Sequence, residues 1–383
     1  MNTSAQFLAL AIAFTSASAH ADVQYAPLPS LSSSFSPSSN ADHKQAVVRD
    51  FAKWIQRYQN WGIEEMKDAW KYTEGSKNVV VAIIDTGIDP NHPDLKANLW
   101  KAPGVNHESS GSVFGWDFVE NKPNPYDIHG HGTHIAGIIG AIANAKSGTA
   151  GVAQSVSLMP IRYYSERASG RENLANTIRA LHYAIDNGAR IINYSGGGPE
   201  FSEEEFRAMK EAEQKGILIV AAAGNDQNNT DLERNRYYPA AYSLKGLKNI
   251  LTVASMDEAH NILRSSNWGM KSVDVAAPGQ NILSTLPHNR YGKMTGTSQA
   301  TAFVSGLAAL ILSERPHLTP SEVKDIIIRS VDKQKGLMRK IASEGHINAK
   351  HALELAMNIQ KTAPGGKTAA IVSHEGNRKT ASK

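Results

Sequence analysis

The chain of 383 residues contains no cysteine. That excludes a disulfide framework, a thiolate zinc site and a cysteine nucleophile. It also lacks any block of Lys or Arg: 40 basic and 36 acidic residues leave a formal net charge of +4, with a pI of about 9.0. Basicity this mild and this dispersed does not call for nucleic acid, and no nucleic-acid partner is expected. No apolar run reaches the roughly 20 residues of a membrane-spanning helix, so stable membrane insertion is not expected either. The helical zinc-peptidase pattern H-E-x-x-H is missing. What is present is a hydrophobic fraction of 41%, enough for a full core in one large domain or two ordinary ones.

The first residues read as an export signal. "FLALAIAF" is an apolar stretch of signal-peptide length, and "SASAHAD" offers a small-x-small cleavage site at Ala19-His20-Ala21, before Asp22. The preceding "MNTSAQ" departs from the pattern by having no Lys or Arg. The expected mature protein is therefore secreted or periplasmic, with residues 1–21 removed. Residues 22–57 hold the Ser/Pro-rich linker "APLPSLSSSFSPSSN", which cannot build a core, followed by a short segment. From about Asp42 to Trp70 the pattern becomes amphipathic and helical, carrying Trp54, Trp61 and Trp70. A main domain is expected over residues 58–357, and a basic, polar, disordered tail over 358–383.

Within that domain strands and helices alternate. "NVVVAIID", "VSLMPIRYY", "ARIINYS", "ILIVAAAG" and "NILTVAS" are apolar, β-branched runs that predict buried strands. "ENLANTIRALHYAIDNG" predicts a helix ending at Gly188. "SEEEFRAMKEAEQKG" predicts another, with Ser202 and Glu205 as a capping box, and "TPSEVKDIIIRSV" a third, with Thr319, Pro320 and Glu322. Such alternation predicts an α/β domain with a mostly parallel central sheet and no internal repeat. In open parallel sheets, sites form at the carboxyl ends of strands. That rule selects Asp85, Ser195 and Asn225.

Each candidate also has an ordinary reading. Asp85 in "DTGID" fits a turn, and Asp-Thr-Gly also occurs in retroviral-type aspartic proteases. Those need a second copy and an all-β scaffold, and no second Asp-Thr/Ser-Gly is found. The three histidines of "HGHGTH", His129, His131 and His134, suggest a metal. The apolar "IAGIIGAI" that follows instead predicts a buried helix, with His134 a buried, hydrogen-bonded residue and His129 a loop residue. Asn225 after "AAAG" fits a turn. Ser298 in "GTSQATAFVSG" fits a helix cap. Together, however, Asp85, His131, Asn225 and Ser298 supply what a serine nucleophile needs. These are a base, a group that orients the base, and a donor for the oxyanion. Their order along the chain matches neither an α/β-hydrolase nor a chymotrypsin-like enzyme.

The motifs "VVVAIIDTGIDPNHPDL", "HGHGTHIAGIIGA", "GVAQSVSLMPIR", "IINYSGGGP", "AAAGN", "YYPAAY", "VDVAAPGQNILST" and "GTSQATAFVSGLAALIL" run in one order over roughly residues 58–357. In that order they resemble the subtilisin-like serine proteases, the subtilase family (peptidase S8). The resemblance implies an α/β three-layer sandwich with helices flanking a mostly parallel sheet. It implies a monomeric serine endopeptidase acting on proteins or peptides, with no cofactor for catalysis. It further implies Ser298 as nucleophile, His131 as base, Asp85 as its orienting carboxylate, and the Asn225 side chain with the Ser298 N–H as oxyanion hole. Substrate would lie as an added strand against "NYSGGGP", with Ser195, Gly196, Gly197, Ala222, Ala223 and Gly224 lining the first pocket. The other strand edge would come from the loop near Tyr163 to Gly170. Two further functions use such a scaffold: a catalytically silent binding protein, whose mark is a broken triad or oxyanion residue, and peptide acyl transfer.

The sequence departs from the family pattern at several places. Gly196 stands where Leu is frequent, which is expected to open the adjoining outer pocket. Gln299 stands where Met is usual and Ala302 where Pro is usual. Residues 22–57 are short for the inhibitory propeptide such proteins carry, so unaided folding or activation by trimming is expected. Tyr238-Pro239 resembles the family's cis Tyr-Pro. Asp94 and Asn144 match positions that ligate a structural calcium ion in many members, and oxygen ligands suit calcium. Glu166 and Glu172 lie near the expected substrate edge, but no acidic cluster demanding basic substrates is evident.

Overall fold

The run "NVVVAIID" forms the middle of the sheet. In the computed structural model, strand β1 (Gly75–Asp85) is flanked on both sides by parallel neighbours. The structure describes residues 60–104, 113–142 and 149–359. The expectations for the signal peptide, the linker, Trp54, Asn144 and the tail beyond 359 lie outside these residues. Further strands are β2 (Trp116–Asp117), β3 (Lys122–Pro123), β4 (Ser155–Arg162), β5 (Ile191–Tyr194), β6 (Leu218–Ala222), β7 (Ile250–Met256) and β8 (Val275–Pro278). After them come β9 (Ile282–Leu286), β10 (Arg290–Met294), β11 (Asp332–Lys333) and β12 (Gly345–His346). Ten of these strands form one sheet in the order β11-β12-β8-β7-β6-β5-β1-β4-β2-β3. Its outermost pairs are antiparallel and all other neighbours parallel. Strands β9 and β10 form a separate antiparallel hairpin.

A strand's side chains alternate between faces, so an unbroken apolar run fills two cores at once. Val81 and Ile83 of β1, Val220 of β6 and Val253 of β7 belong to one core. That core is completed by helices α2 (His131–Gly140), α5 (Thr297–Glu314), α6 (Pro320–Arg329) and α7 (Ala349–Asn358). Ala82, Ile84, Ile192 and Ile219 face the other way, onto α3 (Gly170–Asp186) and α4 (Glu203–Gln214). The result is the three-layer α/β arrangement expected from the sequence. Helix α5 runs through the first core with every residue from Thr297 to Leu312 buried, as its all-round apolar composition requires.

Several local expectations need correction. The amphipathic stretch ending at Trp70 is, over its described part, only the short helix α1 (Trp61–Glu64) and a 3-10 turn, Lys67–Lys71. Its tryptophans work as clamps: Trp61 Nε1 donates to Gln280 O (2.9 Å) and Trp70 Nε1 to Val152 O (2.8 Å). Helix α3 begins earlier than predicted, because Ser169 and Glu172 form a complete capping box. Thr319 and Glu322 do the same for α6. The Ser202 box is only half made. Ser202 Oγ accepts from Glu205 N (3.2 Å), but Ser202 N donates to Tyr242 Oη (3.1 Å) and the Glu205 carboxylate turns inward. Tyr238-Pro239 is cis, as expected.

The strand order places β4 on one side of β1 and β5 on the other, so a crevice opens beyond the carboxyl end of β1. The β9–β10 hairpin closes over α2 and is held there by His134, whose Nε2 lies 3.0 Å from Ile282 O and 3.2 Å from Gly292 O. Burial first, and the nearby His131 second, push the His134 imidazole down to about 3. Unfolding releases a group that binds a proton below about pH 6.5, whereas the folded state refuses it until about pH 3. His134 therefore leaves stability intact above pH 6.5 and erodes it progressively below. His131, whose pKa is raised, works in the opposite sense and changes stability only as pH rises through its folded value. Urea unfolding followed downward from about pH 6.5 to pH 4 is expected to lose on the order of 1 kcal/mol per pH unit through His134, and His134→Asn to remove most of that slope.

Candidate active site

Asp85 is the last residue of β1 and is almost wholly buried. Its Oδ1 accepts from Thr86 N (2.8 Å) and lies 2.8 Å from His131 Nδ1. A carboxylate on Nδ1 fixes the tautomer that leaves Nε2 as the basic nitrogen. His131 opens α2 after Gly130, which adopts φ 103°. Burial depresses its pKa, but the Asp85 charge, the Asp85 hydrogen bond and the Asp127 charge outweigh it, so the net shift is upward. Gly132 permits this contact: a Cβ there would overlap Gly87 O and lie 3.2 Å from Asp85 Oδ1.

The turn that presents His131 is organised by Asp127. Its Oδ1 accepts from Thr86 Oγ1 (2.9 Å), His129 N (2.9 Å) and Gly130 N (2.8 Å), and its Oδ2 from Thr133 N (2.9 Å) and Thr133 Oγ1 (2.6 Å). The sequence reading missed this residue. The available signal was an Asp a few residues ahead of an apolar helix, where free N–H groups gather.

Ser298 is the second residue of α5, and Gly296 occupies the cap position, so Ser298 is not the cap. Its Oγ donates to Ser195 O (3.2 Å), not to His131. Serine changes rotamer about a single bond, and hydrogen bonds to a base often tighten only when substrate arrives. Asp85, His131, Ser195, Gly196 and Ser298 line one depression of about 150 Å³, together with Thr86, His129, Tyr163 and Tyr164.

Asn225 is exposed beyond the end of β6. Its Oδ1 accepts from Thr297 N (3.0 Å) and Thr297 Oγ1 (3.2 Å), which orients the amide and leaves Nδ2 to donate elsewhere. The loop carrying it is pinned by Asn267, a second residue the sequence reading missed. Asn267 accepts from Asp226 N (3.0 Å) and Asn228 N (2.9 Å) and donates to Ala223 O (2.9 Å). Ala222, Ala223 and Gly224 are buried at the end of β6, beside this loop.

The expectation at Gly196 is corrected. A Cβ there would overlap the Tyr163 hydroxyl, so the space a leucine would take is filled by the tyrosine ring. Beyond it lies a cavity of about 210 Å³ that Tyr163 and Gly197 both line. Glu172 borders a groove beside the depression, but its carboxylate is committed to the α3 cap. Glu166, in the same groove, lies 3.6 Å from His129. The three histidines diverge: His129 to Glu166, His131 to Asp85 and His134 to main-chain carbonyls.

Asp94 is buried, with Oδ2 accepting from Tyr291 Oη (2.7 Å) and Oδ1 without a partner among the described residues. Burial pushes its carboxyl up, against the pull of the Tyr291 hydroxyl and of the Thr149 main-chain N–H.

Comparison with known proteins gives consistent relatives. The subtilase family profile matches residues 76–348. The chain is 37% identical over 268 residues to the thermophilic serine proteinase of Bacillus sp. (strain AK1), covering 70% of this chain and 60% of that protein. It is 38% identical over 286 residues to thermitase of Thermoactinomyces vulgaris, covering 75% of this chain and 92% of thermitase. It is 38% identical over 276 residues to the major intracellular serine protease of Bacillus subtilis (strain 168), covering 70% of this chain and 81% of that protein. The chain thus spans less than two thirds of the Bacillus sp. proteinase but nearly all of thermitase. The profile match and these identities, together with the parallel sheet described above, establish that the chain belongs to the subtilase family of serine proteases.

Proposed function

We propose that this chain is an exported serine endopeptidase that hydrolyses peptide bonds in proteins and peptides. The observation that carries this reading is the 2.8 Å contact between Asp85 and His131 at the mouth of a depression that Ser298 also lines. Ser298 Oγ attacks the scissile carbonyl carbon while His131 Nε2 takes its proton. Asp85 holds the imidazolium that forms. The oxyanion is received by Asn225 Nδ2 and the Ser298 N–H, at the N-terminal, positive end of α5. The C–N bond breaks as His131 returns the proton to the amine, and water attacking the acyl-enzyme with His131 again as base restores Ser298. The segment from Ser195 to Gly198 receives the acyl side of the substrate as an added strand. Export is supported by the sequence of residues 1–21 alone. We also propose a structural calcium ion at Asp94: a buried carboxylate with one oxygen unpartnered among the described residues suits a hard cation. Asn144 and main-chain carbonyls would complete the site, and the ion would brace the loop after β1 without entering the chemistry.

A serine-directed fluorophosphonate, with the adduct located by mass spectrometry, is expected to label Ser298 in the purified chain and to leave Ser298→Ala unlabelled. A folded protein that takes no label, before and after trimming residues 22–57, would instead support the silent binding protein. Asn225→Ala is expected to lower kcat by about 10²–10³-fold with KM little changed.

His131 must be neutral to act as base, and its pKa is raised above the ordinary 6.5. The kcat/KM profile is therefore expected to fall on the acid side with a midpoint above that value, and Asp85→Asn to cost about 10⁴-fold.

Calcium is expected to raise the melting temperature of the wild-type chain after chelator treatment and to leave Asp94→Asn unmoved. An equal response of both to calcium would remove the site.

A further inference from the structure

Glu205 is a buried carboxylate that the proposed mechanism does not use. It is the third residue of α4 and is 3% exposed. Its Oε1 accepts from Tyr194 Oη (3.1 Å) and its Oε2 from Tyr242 Oη (2.7 Å). No Lys, Arg or His forms an ion pair with it among the described residues. Buried carboxylates ordinarily have a cation or neutralise, and burial indeed pushes this carboxyl up. Two phenols satisfy part of its hydrogen-bonding capacity and supply no charge.

Glu205 is among the residues that line the cavity of about 210 Å³ beyond Tyr163. Tyr163, Tyr194 and Tyr238 contribute to its wall. Aromatic walls attract cations through their ring faces, an effect that strengthens with desolvation. The charged groups on the cavity are Glu205 inside and the exposed Arg171 and Glu200, so the two exposed charges offset and Glu205 sets the balance. Gly197 and Gly198 form another side. They continue the backbone of Ser195 and Gly196, which line the depression holding Ser298. Three residues of extended chain cover roughly 10 Å, so a substrate strand laid along this segment brings a side chain three or four places before the scissile bond to the cavity.

We propose that this cavity is a specificity subsite for a lysine or arginine side chain three or four residues before the cut, with Glu205 as its anionic anchor. The proposal rests on the proteolytic reading above and adds a substrate class to it. It also revises the expectation that nothing in the cleft favours basic substrates. Glu205 escaped notice because its sequence context marks it as a capping residue, whereas its carboxylate faces the tyrosines.

The test uses matched fluorogenic peptides differing only at those two positions, with Lys, Arg, norleucine or Glu. For the wild-type chain the basic peptides are expected to exceed norleucine in kcat/KM by about tenfold or more, with Glu poorest. Glu205→Gln should bring the Lys-to-norleucine ratio near one. Arg171→Ala, an exposed change that a folding defect does not confound, should raise the ratio. Equal ratios in the wild type and both variants, or a wild-type preference for norleucine, would overturn the proposal. If no peptide is cleaved, the proteolytic reading fails by itself. Anisotropy binding of the same peptides to Ser298→Ala then decides the subsite, with tighter binding of Lys and Arg peptides expected and indifference refuting it.

Discussion

The carboxylate of Asp127 takes five hydrogen bonds from four residues, and the site's geometry depends on it. It ties the first turn of α2 to Thr86, the residue after Asp85, and Thr86 Oγ1 in turn accepts from Gly132 N (2.9 Å). Strand end and helix start are thereby locked together at the point where Asp85 meets His131. Free N–H groups at a helix N-terminus need acceptors, and an anion there also meets the positive end of the dipole. One side chain thus solves a local backbone problem and fixes the register of the His131 imidazole on the Asp85 carboxylate.

A second lock joins the other half of the site. Asn225 reaches across to accept from Thr297 N, so the loop after β6 is fastened to the first turn of α5. Asn193 on β5 donates to Ser195 Oγ (2.9 Å) and accepts from Ser305 Oγ (2.9 Å), tying the segment after β5 to the same helix. Helix α5 is buried along nearly its whole length, so it is a rigid reference for the ends of β5 and β6. Preorganisation of this kind lets the donors around an oxyanion act without rearranging at the moment of reaction.

Much of this was legible in the sequence. A continuous β-branched run such as "NVVVAIID" must be buried on both faces, and strand ends in parallel sheets collect functional side chains, so the sequence alone singles out Asp85, Ser195 and Asn225. The α6 capping box was equally readable, because both partners are local. What stayed hidden depends on contacts distant along the chain. Glu205 fits a box with Ser202, yet Tyr194 and Tyr242 draw its carboxylate away, and Tyr242 lies 37 positions along the chain. Gly196 announced missing volume, but not that Tyr163 from another strand end would fill it. The Ser169 box was passed over because the apolar periodicity of α3 begins after its true start.

The buried carboxylates sort by what compensates them. Asp85 has His131, Asp117 has Arg162 at 2.9 Å, and Asp127 has its five donors. Asp94 and Glu205 are different: the side-chain donors they have are tyrosine hydroxyls, and burial pushes both carboxyls upward. A fold that only needed to fill those positions would do better with an apolar side chain, since burying an acid without a cation costs stability. An incoming cation would change that balance, a metal ion at Asp94 and a substrate's basic side chain at Glu205. On the two proposals, the same physical deficit would mark one position for a structural ion and the other for substrate recognition, through side-chain environment rather than sequence motif.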